Sequence, residues 1–175
     1  GLTRVVLSQS ARQKMTSSRE AITEILKDGT VTYGINTGFG ALSSVSIEPD
    51  KLEQLQANLI RSHACGIGEP MENSHTLMMM LIRANTLCRG NSGARPVIVD
   101  TLVSMINHGI CPVIPRIGSL GASGDLAPLS HLALGMMGEG KCNVRIGANE
   151  LGPMSSNEAL SKSGIIPIVP AAKEG

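Results

Sequence analysis

Apolar residues recur at helical spacing over positions 10–27, where Ala11, Met15, Ile22, Ile25 and Leu26 share one side and Gly29 supplies a stop. Pro49 suits the first turn of a second helix, with Leu52, Leu55 and Leu59 on one face and His63 four residues further along it. A glycine-rich turn through Gly66 and Gly68 ends that helix. Positions 74–89 carry Leu77, Met78, Met80, Leu81, Ala84 and Leu87 around most of the circumference, which predicts a helix buried on all sides. After a break at positions 90–93, Pro96 opens a helix to about His108, closed by Gly109. A further helix runs to about Met137, with Asp125 suited to its N-cap, and Ser155 with Glu158 forms the capping box of a short last helix ending near Gly164. Between these lie segments without helical period. Positions 31–40 read as a glycine-rich loop entered by a short strand. Positions 111–115 are extended, because residues before proline avoid the helical region. Positions 141–152 read as a small hairpin turning at Gly147-Ala148-Asn149, and 165–169, with Pro167 inside, as an extended connector. The expected fold is mainly α with little β, and its loops carry the chemistry.

Composition changes this picture in three places. The chain has 175 residues, about one domain, with 42% hydrophobic residues but one Tyr, one Phe and no Trp. Its core must therefore be aliphatic, filled out by nine Met, and both aromatics fall instead in the loop at 33–39. The net charge of +1, with Lys and Arg scattered, gives no basis for a nucleic-acid or membrane partner. The apolar run at 77–82 is too short to span a bilayer, and Val5-Val6-Leu7 is too short for a signal sequence. Cys65, Cys88, Cys111 and Cys142 lack C-x-x-C pairing, which points to a reducing, cytoplasmic setting. The four histidines lack zinc-site spacing, so no metal is expected.

The distinctive chemistry is at Ala122-Ser123-Gly124. A sharp bend there lets the Gly124 nitrogen attack the Ala122 carbonyl carbon, an approach that only glycine leaves uncrowded. The Ser123 β-hydroxyl can then leave as water. Loss of two waters yields a five-membered methylidene-imidazolone (MIO), an electrophile no ordinary side chain provides. An Ala-Ser-Gly tripeptide alone is usually a turn. The longer run Gly118-Ser-Leu-Gly-Ala-Ser-Gly-Asp-Leu-Ala-Pro-Leu-Ser-His-Leu-Ala-Leu resembles the signature of the MIO-dependent aromatic amino acid lyases, nearest their histidine-acting branch. Tyr33-Gly-Ile-Asn-Thr-Gly-Phe-Gly40 is similar to the second signature of that family, and Ser62-His63-Ala64-x-Gly66-x-Gly68-Glu69 to a third segment.

The resemblance implies that Tyr33 is the catalytic base removing a substrate β-proton, with Asn36 and Gly40 beside it in the substrate pocket. The competing reading is a structural loop tyrosine. A free phenol ionises near pH ~10, so work near neutrality needs positive charge or helix N-termini close by. His63 is implied as a pocket residue that orients the substrate side chain, while its place on a leucine face also fits a core histidine. Asp125 either caps the following helix or strains the loop for ring closure. Arg83 and Asn85 match the family and are expected to be buried supports that need partners. The implied reaction is deamination of L-histidine to trans-urocanate and ammonia. Other expectations are another aromatic substrate, an aminomutase, or a piece inactive alone. Residues 1–175 are implied to be the N-terminal MIO-loop domain of a largely helical homotetramer. The central helix bundle would belong to a C-terminal remainder, and this piece alone is expected to be inactive.

Overall fold

Ser8 opens the first helix by accepting the Ala11 N–H on its Oγ at 3.2 Å, and Gly29 closes it in the left-handed region at φ +67°. The computed structural model describes residues 4–39, 43, 45–48, 51–118, 126–147 and 149–175. The chain runs α1 (Gln9–Asp28), α2 (Leu52–His63), β1 (Ile67–Pro70), α3 (Asn73–Leu87), α4 (Pro96–Asn107), β2 (Ile110–Pro112), β3 (Pro115–Ile117), α5 (Leu126–Met136), β4 (Lys141–Ile146), β5 (Asn149–Ser155) and α6 (Ser156–Lys162). This is the mainly helical order expected from the periodicity, with Pro96 in the first turn of α4 and the Ser155 Oγ accepting from Glu158 N–H.

The core is aliphatic, as a chain nearly without aromatics requires. Met15 of α1, Met80 of α3, Val99, Leu102 and Met105 of α4, Ile110, Ile114 and Leu160 are all at most 1% exposed. Methionine's unbranched chain fills the irregular gaps between these helices. A three-stranded antiparallel sheet ordered β2-β4-β5 closes one side, with Ile110 opposite Val144 and Lys141 opposite Ser155. The four cysteines are free thiols, and burial pushes the Cys111 thiol up to about 11, leaving it protonated and inert near neutrality.

Two helices depart from their patterns. α3 is not buried all round: Met80, Ala84 and Leu87 face the core, but Met78, Leu81 and Ile82 are 56%, 41% and 58% exposed. Uniform apolarity hid which side faces inward. In α2 the inward face centres on Leu52, Gln56 and Ile60, so Leu55, Leu59 and His63 lie half-buried at its edge.

Gly93 joins α1 to the start of α4. A Cβ there would stand 2.4 Å from Ile22 Cγ1, and its φ is +75°. Gly93→Ala therefore combines left-handed strain with overpacking and is expected to cost about 2–4 kcal/mol, read as a lowered urea midpoint with unchanged slope.

Candidate active site

A two-stranded antiparallel pair, β1 with β3, brings two of the sequence-predicted segments together, with Ile67 opposite Ile117 and Pro70 opposite Pro115. β1 follows the His63 turn, and β3 leads into Gly118 and the segment that carries the tripeptide. Gly66 is the meeting point. A Cβ on it would stand 3.1 Å from His131 Nε2 and 3.2 Å from Pro115 Cβ. A Cβ on Gly118 would stand 3.0 Å from both Ala127 Cβ and Gly66 Cα. Gly118 and the first turn of α5 are thus in contact, so the two ends of the 119–125 segment meet. Ala122, Ser123, Gly124 and Asp125, like Gly40, lie outside the described residues. The chain supplies every atom an MIO needs, and the contact between Gly118 and Ala127 brings together the described residues that flank that stretch of sequence.

His131 had no role in the sequence reading beyond its place in the signature run. Its Nε2 accepts the Gly66 N–H at 3.1 Å, so the ring proton of the neutral form sits on Nδ1. Burial holds its pKa below the ordinary 6.5. A lowered histidine pKa means the native state binds fewer protons than the unfolded one. The stability His131 contributes is complete above pH 6.5 and is lost as pH falls through the depressed native value. Urea midpoints should drop on acidification across that window, and the drop should shrink in His131→Gln.

His63 is half-buried. Its Nδ1 lies 2.9 Å from the Leu59 carbonyl, which can only accept, so Nδ1 carries the proton and Nε2 keeps its lone pair. No hydrogen bond to that Nε2 forms among the described residues. His63 thus sits at the edge of α2 with one ring nitrogen committed to its own helix.

The Tyr33 loop is held from within. Asn36 Oδ1 accepts from Thr32 N–H at 2.8 Å and its Nδ2 donates to the Thr30 carbonyl at 3.0 Å. The Asn36 carbonyl accepts from Ile47 N–H, and Thr37 pairs with Ser46 as an isolated bridge. Buried Asn36 therefore has its amide committed to the loop. Tyr33 itself is 62% exposed and meets Phe39 edge-on, with ring centroids 6.2 Å apart.

Beside this loop stands Lys173, which the sequence did not single out. A Cβ at Gly34 would lie 3.7 Å from Lys173 Nζ. Lys173 is, among the described residues, the one non-glycine in the left-handed region, at φ +74°. It is kept there by a turn in which Glu174 N–H donates to the Ala171 carbonyl and Ala171 N–H donates to Glu174 Oε2 at 2.8 Å. The Glu174 side chain is 1% exposed and accepts from Arg95 Nε and Nη2, with Nη2 at 2.7 Å from Oε2, while Arg19 Nη1 lies 3.9 Å away. Glu174→Gln leaves two guanidinium groups facing a neutral amide. The expected loss is about 2–3 kcal/mol by urea denaturation, less than for a fully buried pair because Arg95 keeps 36% of its side-chain surface in water.

Arg83 and Asn85 are exposed rather than buried, since they lie on α3 away from Met80, Ala84 and Leu87. Arg83 instead borders a cavity of about 200 Å³ between α3, α5 and the Lys173 turn, together with Ser130 and Lys173. Among the described residues no group of three or more His, Cys, Asp or Glu converges as a metal would require, and no helix is long and apolar enough to cross a membrane.

The profile of the aromatic amino acid lyases matches residues 1–175. The chain belongs to the aromatic amino acid lyase family. A histidine ammonia-lyase of Geobacillus sp. (strain WCH70) is 50% identical over 171 residues, 98% of this chain and 33% of the relative. One of Alkaliphilus metalliredigens is 46% identical over the same shares. Among solved structures, histidine ammonia-lyase from Trypanosoma cruzi superposes with a TM-score of 0.85 at 40% identity, covering 98% of this chain and 32% of that one. The phenylalanine aminomutase of Pantoea agglomerans reaches 0.85 at 32% identity over the same shares. The chain thus spans about a third of the length of the lyases it matches and shares their fold over that stretch.

Proposed function

We propose that this chain forms part of a histidine ammonia-lyase and contributes the MIO-forming tripeptide, the base and part of the substrate pocket to the conversion of L-histidine to trans-urocanate and ammonia. The single observation that carries the reading is the packing of Gly118 on Ala127 and Gly66, which brings the stems of the Ala122-Ser123-Gly124 segment together beside the His63 turn. Likeness to histidine ammonia-lyases across nearly the whole chain supports it.

Ala122, Ser123 and Gly124 would hold the MIO within their own backbone, where it supplies an electrophilic methylidene carbon that captures an amine. Tyr33 takes the β-proton on its phenolic oxygen. Lys173, whose ammonium group flanks Gly34, supplies positive charge to this loop. His63, with Nδ1–H committed to Leu59, offers Nε2 to the N–H of a substrate imidazole and fixes its orientation. α5 begins at Leu126, two residues after Gly124 in sequence, and a helix N-terminus favours negative charge that develops near it. Further pocket groups, including a carboxylate-binding arginine and an asparagine, and assembly as a tetramer in the cytoplasm belong to the same proposal.

An aminomutase with the same fold returns the amine to the β-carbon instead. The deciding experiment joins this chain to the remaining two thirds of the Geobacillus relative's length and supplies L-histidine. Urocanate and ammonia in equal amounts support the lyase. A β-amino acid product supports the mutase, and turnover only with another aromatic amino acid removes histidine as substrate.

A further inference from the structure

We propose that the cavity between α4 and α5 is the seat of the segment joined to Gly175 in the complete protein, which enters it with apolar side chains. The inference rests on the lyase reading, in which this chain is one third of a protein of its relatives' length, and it adds where the two parts lock together. The cavity measures about 200 Å³, and Ile98 and Leu102 of α4 with Leu129, Leu132 and Ala133 of α5 form much of its wall. An apolar cavity of ~150 Å³ takes up a group the size of benzene in preference to water. This one therefore suits a branched aliphatic side chain or an aromatic ring.

Two further observations select the occupant. Gly175 borders the cavity and is pinned there. Its N–H donates to Gln56 Oε1 at 2.7 Å, and a Cβ on it would stand 3.0 Å from Gln56 Cα, so the backbone lies tight against α2. One residue earlier, the buried Glu174 carboxylate is held by Arg95. A segment joined to Gly175 therefore starts at the cavity wall, and the covalent link makes its entry intramolecular. Gln56 itself supplies the second observation. It is 1% exposed, and its Nε2 has no hydrogen-bond partner among the described residues while its Oε1 is satisfied. It lies one turn before Ile60, which also borders the cavity. A buried donor calls for an acceptor. A backbone carbonyl of the entering segment supplies one, close to the N–H that the same side chain already accepts. The Gln56 amide then pairs with both polar groups of a passing backbone, as a neighbouring strand does.

The test is the thermal midpoint of the chain joined to the remaining length of the Geobacillus relative, with and without Ala133→Leu. Ala133 is half-buried at the cavity wall, and leucine is a strong helix former. With the segment seated, the larger side chain overpacks the site and should lower the midpoint by about 3 °C or more. A cavity still open in the complete protein would be filled by leucine instead, and a midpoint that holds or rises overturns the proposal. Alanine exchanges identify the occupant. About six residues after Gly175 span at most ~20 Å, and their apolar members are exchanged for alanine one at a time. At least one exchange should cancel most of the Ala133→Leu penalty. Penalties that simply add mean that another part of the protein or a second copy fills the cavity, and the proposal fails. If Ala133→Leu does not fold, the smaller Ala133→Val in the same pairings decides the matter by the same criteria. Midpoints do not depend on turnover, so this outcome is separate from that of the urocanate assay.

Discussion

Ser123→Ala should lower histidine-dependent urocanate formation by at least about 10³-fold in the protein carried to its relatives' length, because alanine has no β-oxygen to lose and no exocyclic double bond can form. One methyl replaces one hydroxymethyl, so binding of the amino acid by the remaining pocket should be retained and the loss should fall on kcat. The intact mass gives an independent reading. The variant should not lose the second water, whereas the wild type should be lighter by two. Rapid urocanate formation by Ser123→Ala would mean that the amine is not captured at this tripeptide, whatever the fold.

Tyr33→Phe is expected to cost about 10²–10⁴-fold in kcat while leaving stability within about 0.5 kcal/mol. The separation follows from the geometry. The phenol ring is 62% exposed, its hydroxyl forms no hydrogen bond among the described residues, and phenylalanine preserves the edge contact with Phe39. The loop is held by Asn36, Thr37 and their partners at 45–47, none of which the substitution touches. A structural tyrosine would behave the other way, losing stability and keeping activity. Measuring the urea midpoint beside kcat distinguishes the two roles.

Much of this was legible along the chain because the elements obey local rules. Ser155 caps a helix, Pro96 opens one, Gly29 closes one, and the hairpin expected over 141–152 forms with its turn at Gly147 and runs on to Ser155. Local rules fail where direction is set by distant partners. The α3 pattern is apolar almost all round, so only packing against α4 and the sheet decides that Met80 points inward and Met78 outward. Arg83 and Asn85 match the family, and that match invited a buried role, but their exposure depends on the same rotation. Gln56 was invisible for the opposite reason. A polar residue on a buried face makes sense only once Gly175 N–H is seen donating to its Oε1 at 2.7 Å. His131 and Lys173 join segments 65 and more than 130 residues apart in sequence, and no spacing rule reaches that far.

The scarcity of aromatics has a practical consequence. With Tyr33 the lone tyrosine and tryptophan absent, the aromatic side-chain emission of this 175-residue chain arises from one small patch of surface, the Tyr33–Phe39 pair. That emission is a built-in optical probe of the patch, without background from any other tyrosine or tryptophan and without an attached label.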